Sequence, residues 1–338
     1  MSGQALETGA RRRPEPRALA RRGLDAAKRL ALQYAGVGIV LVGMVAYLSA
    51  TQQNFATWNN FSIILSQEAV LMVVAVGLTF VLIVGGLDLS MGGMAGLSGI
   101  VTWELMSRGV SVPLAIAIVV VGGMLVGAVT NGFLIARVGL SFLVVTLGTG
   151  GAFTALALVL TQGQTESLLG NGSLAAIGSG GVGSLPWVVI VSVGLLVLGA
   201  LILRYTGFGR MIYATGGNQE AARLAGIDVV LVRLAVYGIA GGLAAMAGFL
   251  ESAHLQASDP NAGSLVILSA TAAVLIGGTS FMGGSGTMLG TFLGVLFLGV
   301  LSNGLTRLSI SAYWNGFITG CVLIFALLVD RLRYRQRR

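Results

Sequence analysis

The sequence predicts an all-α protein, a polytopic transmembrane helical bundle of about ten spans with its N- and C-termini in the cytoplasm. Three observations predict it. Apolar residues fill 55% of 338 positions, charged residues fill only 9%, and the apolar residues fall into blocks long enough to cross a bilayer. An ordinary soluble domain carries about 45–50% apolar and about 25% charged residues. This chain has 20 basic and 12 acidic side chains, too few to cover a soluble core of its size. Lipid is the solvent that fits.

The elements follow in order. Residues 1–33 form a basic cytoplasmic tail with Arg11, Arg12, Arg13, Arg17, Arg21, Arg22, Lys28 and Arg29. The apolar segment after them is long and has no small-residue cleavage site, so it reads as a retained span, not a cleaved signal. Roughly 20 apolar residues cross the hydrocarbon, and the candidate spans are 34–50, 61–84, 90–106, 112–135, 140–160, 186–203, 234–250, 265–282, 286–305 and 311–329. The third is crowded by Gly92, Gly93, Gly96 and Gly99, and the seventh, around Gly238, Gly241 and Gly242, is short. Residues 330–338 close the chain as a second basic tail, leaving 34–329 as the transmembrane domain with a cytoplasmic loop at 204–233.

Charge sets the orientation. Basic residues concentrate on cytoplasmic loops. Ten spans put both tails and Arg137, Arg204, Arg210, Arg223 and Arg233 on one side, with Arg108 and Arg307 alone on the other. An eight-span arrangement, with one segment re-entrant and another interfacial, also keeps both ends inside. The net charge of +8 is what span-flanking arginines produce against anionic head groups. No aromatic and basic interleaving points to nucleic acid.

There are 52 glycines, many inside apolar blocks. In lipid, helices attract mainly by close packing, which small residues permit. Gly123 and Gly127 are four apart, as are Gly290 and Gly294, so each pair predicts a flat patch on one helix face. Two runs read differently: Val84-Gly85-Gly86-Leu87-Asp88-Leu89-Ser90-Met91-Gly92-Gly93 and 277–287 break apolar blocks, as cytoplasmic turns or broken helices edging a pathway. Irregular backbone at membrane depth is tolerated only beside water or buried against protein. Neither run carries a Gly-Lys-Ser/Thr signature, so no phosphate loop is read here.

Polar side chains within apolar blocks are candidates for a translocation path: Glu68, Asp88, Asn131, Thr146, Thr149 and Asn303. A carboxylate at membrane depth is a functional-site hypothesis by default. For Glu68 two readings stand, in the path or at the outer interface. Asp88 reads first as a turn residue accepting local N–H bonds. The others either line a path or bond helix to helix. His254 falls near Glu251 and Asp259, without a second histidine to make a metal site, and the lone Cys321 reads as a buried small hydrophobe. No nucleophile elbow or paired acid set suggests a membrane enzyme.

The loop 204–233 holds the strongest local signal. Gln219 to Leu224 are good helix formers, Asn218 is placed as N-cap, Glu220 suits the positive end of the helix dipole, and Gly226 supplies a stop. A helix this short is not stable alone, which makes it a docking element for another surface.

The segment Gly217-Asn218-Gln219-Glu220-Ala221-Ala222-Arg223-Leu224-Ala225-Gly226-Ile227 resembles the coupling-helix segment of the ribose/xylose-type branch of the ABC transporter permeases. Gly85-Gly86-Leu87-Asp88-Leu89-Ser90-Met91-Gly92, Thr146-Leu147-Gly148-Thr149, 272–280 and Gly283-Gly284-Ser285-Gly286-Thr287 agree with that family in order, Met91 standing where Val or Ile is common. The resemblance implies the membrane subunit of a monosaccharide importer in the bacterial inner membrane, not itself an enzyme. It implies a second permease copy or a paralogue, a cytosolic ABC ATPase that holds the ATP and magnesium, and a periplasmic or lipid-anchored sugar-binding protein. Asn218, Glu220, Ala221, Ala222, Arg223 and Gly226 would couple to the ATPase, and this chain itself would bind no cofactor. The alternative is an ion-coupled secondary transporter of a small polar solute, in which Glu68 and Asp88 would feed an ion site.

Overall fold

The computed structural model describes residues 34, 36–264, 266–311 and 313–336. The basic tail 1–33, with its eight positive charges, lies outside the described residues, as do Arg337 and Arg338. Helices dominate: α1 Gly36–Thr51, then α2 Trp58–Gln67, α3 Ala69–Ile83, α4 Ser90–Ser107, α5 Val112–Gly127, a π turn at Ala128–Gly132, α6 Phe133–Ala136, α7 Phe142–Thr161 and α8 Gly172–Gly178. They continue with α9 Trp187–Tyr205, α10 Gly207–Gly217, α11 Gln219–Leu224, α12 Val229–Leu255, α13 Val266–Ile276, α14 Met288–Arg307 and α15 Tyr313–Gln336. Two small antiparallel pairs join them. β1 (Glu166–Ser167) pairs with β4 (Ala257–Ser258), and β2 (Gly181–Val182) pairs with β3 (Leu185–Pro186).

Among the described residues, five helices are long and apolar enough to cross a membrane: Val112–Ala136, Phe142–Thr161, Trp187–Tyr205, Val229–Leu255 and Met288–Arg307. The pair α2 and α3, bent by 53° at Glu68, makes a sixth if counted as one span. Each of the ten expected blocks contains a helix, but 265–282 is helical only over Val266–Ile276, α1, α13 and the apolar part of α15 are short, and α4 is diluted by glycine and polar residues. The segment expected to be short, 234–250, is instead a 27-residue helix. Its Gly and Ala positions do not end it, because they are contact points. Gly248 faces the Ala95 carbonyl and Gly241 faces the Gly123 carbonyl.

α3 is apolar all round and therefore central. Every residue from Met72 to Ile83 is buried, with α9, α12, α13 and α14 packed around it. On α5, Gly123 and Gly127 both face Gly241 of α12, as the spacing predicted, and Gly132 faces Leu234 of the same helix. The last step is five residues, not four, and the π turn absorbs the extra one. Gly290 and Gly294 of α14 likewise sit on Gly277 and Ala273 of the α13 side.

The bundle has two distinct ends. At one, α10, α11 and the 277–287 loop gather, and Tyr34 bonds Thr287 through their hydroxyls. At the other lie both strand pairs and α8, with Trp58 Nε1 donating to Ser184 Oγ at 2.5 Å and Arg307 donating to Asn60 Oδ1 and to Gln53 O. Leu48 packs on Gly304 near this second end, so α1 runs from one end to the other despite its length.

Candidate coupling face and transport cavity

The coupling candidates form one capped unit. Asn218 is extended, and its Oδ1 accepts from Ala221 N at 3.0 Å. Gly226, at φ +83°, takes the left-handed stop, with its N–H on Arg223 O and Ile227 N on Ala222 O. Asp228 then caps α12 by accepting from Leu231 N, a second cap that sequence reasoning did not pick out. Ala222 is buried, whereas Glu220 and Arg223 point outward, 3.9 Å apart, and Leu224 is 83% exposed. An exposed ion pair of this kind contributes little to stability. The six-residue helix therefore presents a charged and apolar outer face that none of the described residues covers.

α10 was not foreseen. Gly207, Gly209, Gly216 and Gly217 at its ends mask a helical pattern, yet Thr206 caps it by accepting from Gly209 N at 3.0 Å. Tyr213 on this helix donates to Gly286 O at 2.7 Å, and burial raises its pKa, which keeps the proton on the donor. Those terminal glycines have a use. Three Gly-Gly pairs from distant parts of the chain meet here backbone to backbone: Gly85-Gly86, Gly216-Gly217 and Gly283-Gly284. Gly284 N donates to Ile83 O at 2.8 Å. A Cβ on Gly216 would stand 1.8 Å from Ile83 O, and one on Gly283 would stand 2.9 Å from Gly85 Cα. The two glycine runs singled out in the sequence are thus one junction, seated directly against the element that carries α11.

From that junction the chain turns to Asp88, which is buried with both carboxylate oxygens bonded. Its Oδ1 accepts from Ser90 N at 2.9 Å and from Ser90 Oγ at 2.5 Å. Asn131 Nδ2 reaches both carboxylate oxygens at 3.2 Å and Ser90 Oγ at 2.6 Å. Thr149 Oγ1 donates to Asn131 Oδ1 at 2.7 Å, and Thr146 Oγ1 lies 3.5 Å from Leu87 O. Four of the six path candidates therefore come together. They knit the 85–90 turn to α7 and to the π turn that carries Asn131.

The other two lie elsewhere. Asn303 accepts from Asn60 Nδ2 at 3.2 Å, and Asn60 in turn holds Arg307, a ladder at the far end. Glu68 occupies the bend between α2 and α3, where its backbone keeps the ladder through Glu68 N on Ile64 O and Met72 N on Glu68 O. The bend turns its side chain toward α14, where Gly299 leaves the room: a Cβ there would lie 2.6 Å from Glu68 Cγ. Glu68 lines a cavity of about 370 Å³ together with Glu251, His254, Ser269 and Thr319. Glu251 was not a path candidate. It sits on α12, far from Glu68 in sequence, and only the packing of α12 against α3 brings the two acids to one space. Cys321, expected to be buried, is exposed on α15.

Comparison with known proteins places this geometry. Residues 60–327 match the family described as branched-chain amino acid transport system / permease component. The ribose import permease protein RbsC of Escherichia coli K12 is 36% identical over 296 residues, covering 86% of this chain and 92% of that protein. RbsC of Bacillus subtilis 168 is 36% identical over 301 residues, 89% of this chain and 93% of its own. The autoinducer 2 import system permease protein LsrC of Salmonella typhi is 32% identical over 303 residues, 89% and 86%. No solved structure matches. The chain is a multi-pass membrane protein and belongs to this permease family, within its ribose-type ATP-binding-cassette branch.

Proposed function

We propose that the chain is the membrane-spanning subunit of an importer for a monosaccharide, a pentose or hexose delivered by a periplasmic or lipid-anchored binding protein. The family supports the permease role, and relatives named for ribose and autoinducer 2 import support a small polyhydroxylated solute. In this reading the bundle crosses the inner membrane ten times with both ends cytoplasmic, and it pairs with a second copy or a paralogue. A cytosolic ATPase binds ATP and magnesium beneath it. The observation that carries the reading is the capped helix α11, whose exposed Glu220, Arg223 and Leu224 face away from its own bundle. Ala221 and the buried Ala222 let it sit closely, and Gly226 holds the turn that follows it.

Closure of the ATPase would push α11 and α10 against the glycine junction. The junction is backbone against backbone, with no flexible side chain between, so displacement of α10 passes to the turn after α3 and to the 277–287 loop. A packed contact of this kind switches between discrete arrangements and does not deform smoothly. Asp88, Asn131, Thr146 and Thr149 then act as a brace that moves with the turn, while Glu68 borders the solute's route. ATP shifts the bundle between inward- and outward-open states through its different affinity for the two.

The test is purification of the tagged chain from its own membranes, with mass spectrometry of what accompanies it. An ATPase with a phosphate-binding lysine loop, lost on Glu220→Lys, is the expected result. The two cavity acids favour one other reading, ion-coupled transport. Recovery of the chain alone, with uptake driven by an ion gradient in liposomes, would establish that alternative in place of the importer.

A further inference from the structure

The cavity beside the α2–α3 bend is built differently from the rest of the bundle. Among the described residues its acids have no cation to pair with: Arg307 is held by Asn60 and Gln53, and Arg108 by Glu104. Glu251 Oε2 is fully buried and receives no hydrogen bond. The neighbouring His254 is anchored through Nδ1, 3.4 Å from Gly178 O. Buried polar atoms in folded proteins are almost always bonded, so Glu251 Oε2 is an unmet hydrogen-bond acceptor on a residue that lines this cavity. No group of three or more His, Cys, Asp or Glu suited to a metal ion exists among the described residues.

The space suits a small solute. Its volume of about 370 Å³ falls within the range of small-molecule sites, roughly 300–1,000 Å³. Leu71 and Leu298 give it apolar wall, while Gln67, Ser269 and Thr319 bring further hydrogen-bonding groups. Carboxylates accept hydroxyl protons in hydrogen bonds about twice as strong as those between neutral groups, and each can take two neighbouring hydroxyls. A solute carboxylate entering the same space would lose its hydration and find no cation among the described residues to replace it.

We propose that this cavity is a solute subsite of the permease itself. Glu68 and Glu251 bind the hydroxyls of a neutral polyol and exclude its anionic counterparts. The proposal rests on the importer reading for its place in transport, but the site is a property of this chain alone. It gives the permease a selectivity filter by charge that is independent of whatever binding protein delivers the solute. Gly299 belongs to the filter, because it leaves the space in which the Glu68 side chain lies.

Saturation-transfer NMR on the full chain in lipid nanodiscs tests this. Galactose, ribose and xylose serve as neutral probes, and galacturonate as galactose with one carboxylate added. Wild type is expected to give saturation transfer to at least one neutral sugar and none to galacturonate. Glu251→Gln and Glu68→Gln should cut the neutral signal at least tenfold, and the double variant should admit galacturonate. Gly299→Ala keeps both acids, so it should weaken neutral binding while still refusing the anion. It serves as the second variant if a glutamine change disturbs folding. No transfer to any neutral sugar in wild type, or equal transfer from galactose and galacturonate, overturns the subsite even where a co-purifying ATPase upholds the importer. Neutral-selective binding lost in the glutamine variants upholds the subsite even where no ATPase is found.

Discussion

Asp88 and Glu251 are acids set among helices of the same bundle, and their surroundings differ at every atom. Asp88 takes hydrogen bonds from Ser90 and Asn131 on both oxygens, in a turn closed by backbone contact with Gly216 and Gly283. Glu251 has one buried oxygen with no donor and faces an open cavity. The first acid has been consumed by the structure. Its bonds hold three segments in register, and burial to 1% exposure leaves a passing solute no access to it. The second has been kept free of partners, which is what a binding group requires and a brace does not. Two carboxylates that look alike in a hydropathy plot are thus a fastener and a contact.

That contrast can be broken at its closed end most severely. Gly216→Ala places a methyl group 1.8 Å from Ile83 O with no side chain able to yield. Overpacking of this kind costs about 3 kcal/mol, and the variant should lose most folded protein by size-exclusion and thermal unfolding. Gly217→Ala, with open space around it, should behave as wild type. Equal behaviour of the two would show that the junction yields.

Next in size is the pair of acids. Asp88→Ala leaves the donors of Asn131 and Ser90 unsatisfied and should destabilise by about 2–3 kcal/mol, read as a lowered unfolding midpoint. Glu251→Gln should leave the midpoint within about 0.5 kcal/mol or raise it, because no bond is lost. A large fall for Glu251→Gln would place it with Asp88 as a structural group.

The smallest effects belong to the coupling face. Asn218→Ala removes a helix cap worth about 1 kcal/mol. Glu220→Lys touches an exposed side chain and should shift stability by less than about 0.5 kcal/mol, yet abolish ATP-driven solute uptake. If Glu220→Lys kept full uptake and full ATPase stimulation, α11 would be only a loop helix.

Much of this was legible from residue order. The apolar blocks became helices, Asn218 and Gly226 bounded α11 as their chemistry required, and the four-residue glycine pairs did face neighbouring helices. These are local signals, written within a few residues. α10 was illegible because helix propensity penalises the glycines that its packing against Ile83 and Gly284 demands. The grouping of Asp88 with Asn131 and Thr149, and of Glu68 with Glu251, could not be read either. Facing in a bundle depends on helix rotation and crossing, set by contacts between segments far apart in the chain. The number of crossings is blurred for a related reason: α4 and α13 are shielded by protein, so they need less apolar length than a lipid-facing helix.

The π turn at Ala128–Gly132 bears on how this chain tolerates insertion and deletion. Gly123, Gly127 and Gly132 keep one line against α12 only because the turn holds one residue more than a regular helix would. In an unbroken α-helix the position four after Gly127 is Asn131, which would then face α12 instead of Asp88. Loss of a single residue here would rotate everything after it by about 100° and move both the glycine line and the Asp88 partner at once. No one substitution restores such a phase. The segment is therefore free to drift in side-chain identity at its lipid-facing positions, such as Val129, but is fixed in length.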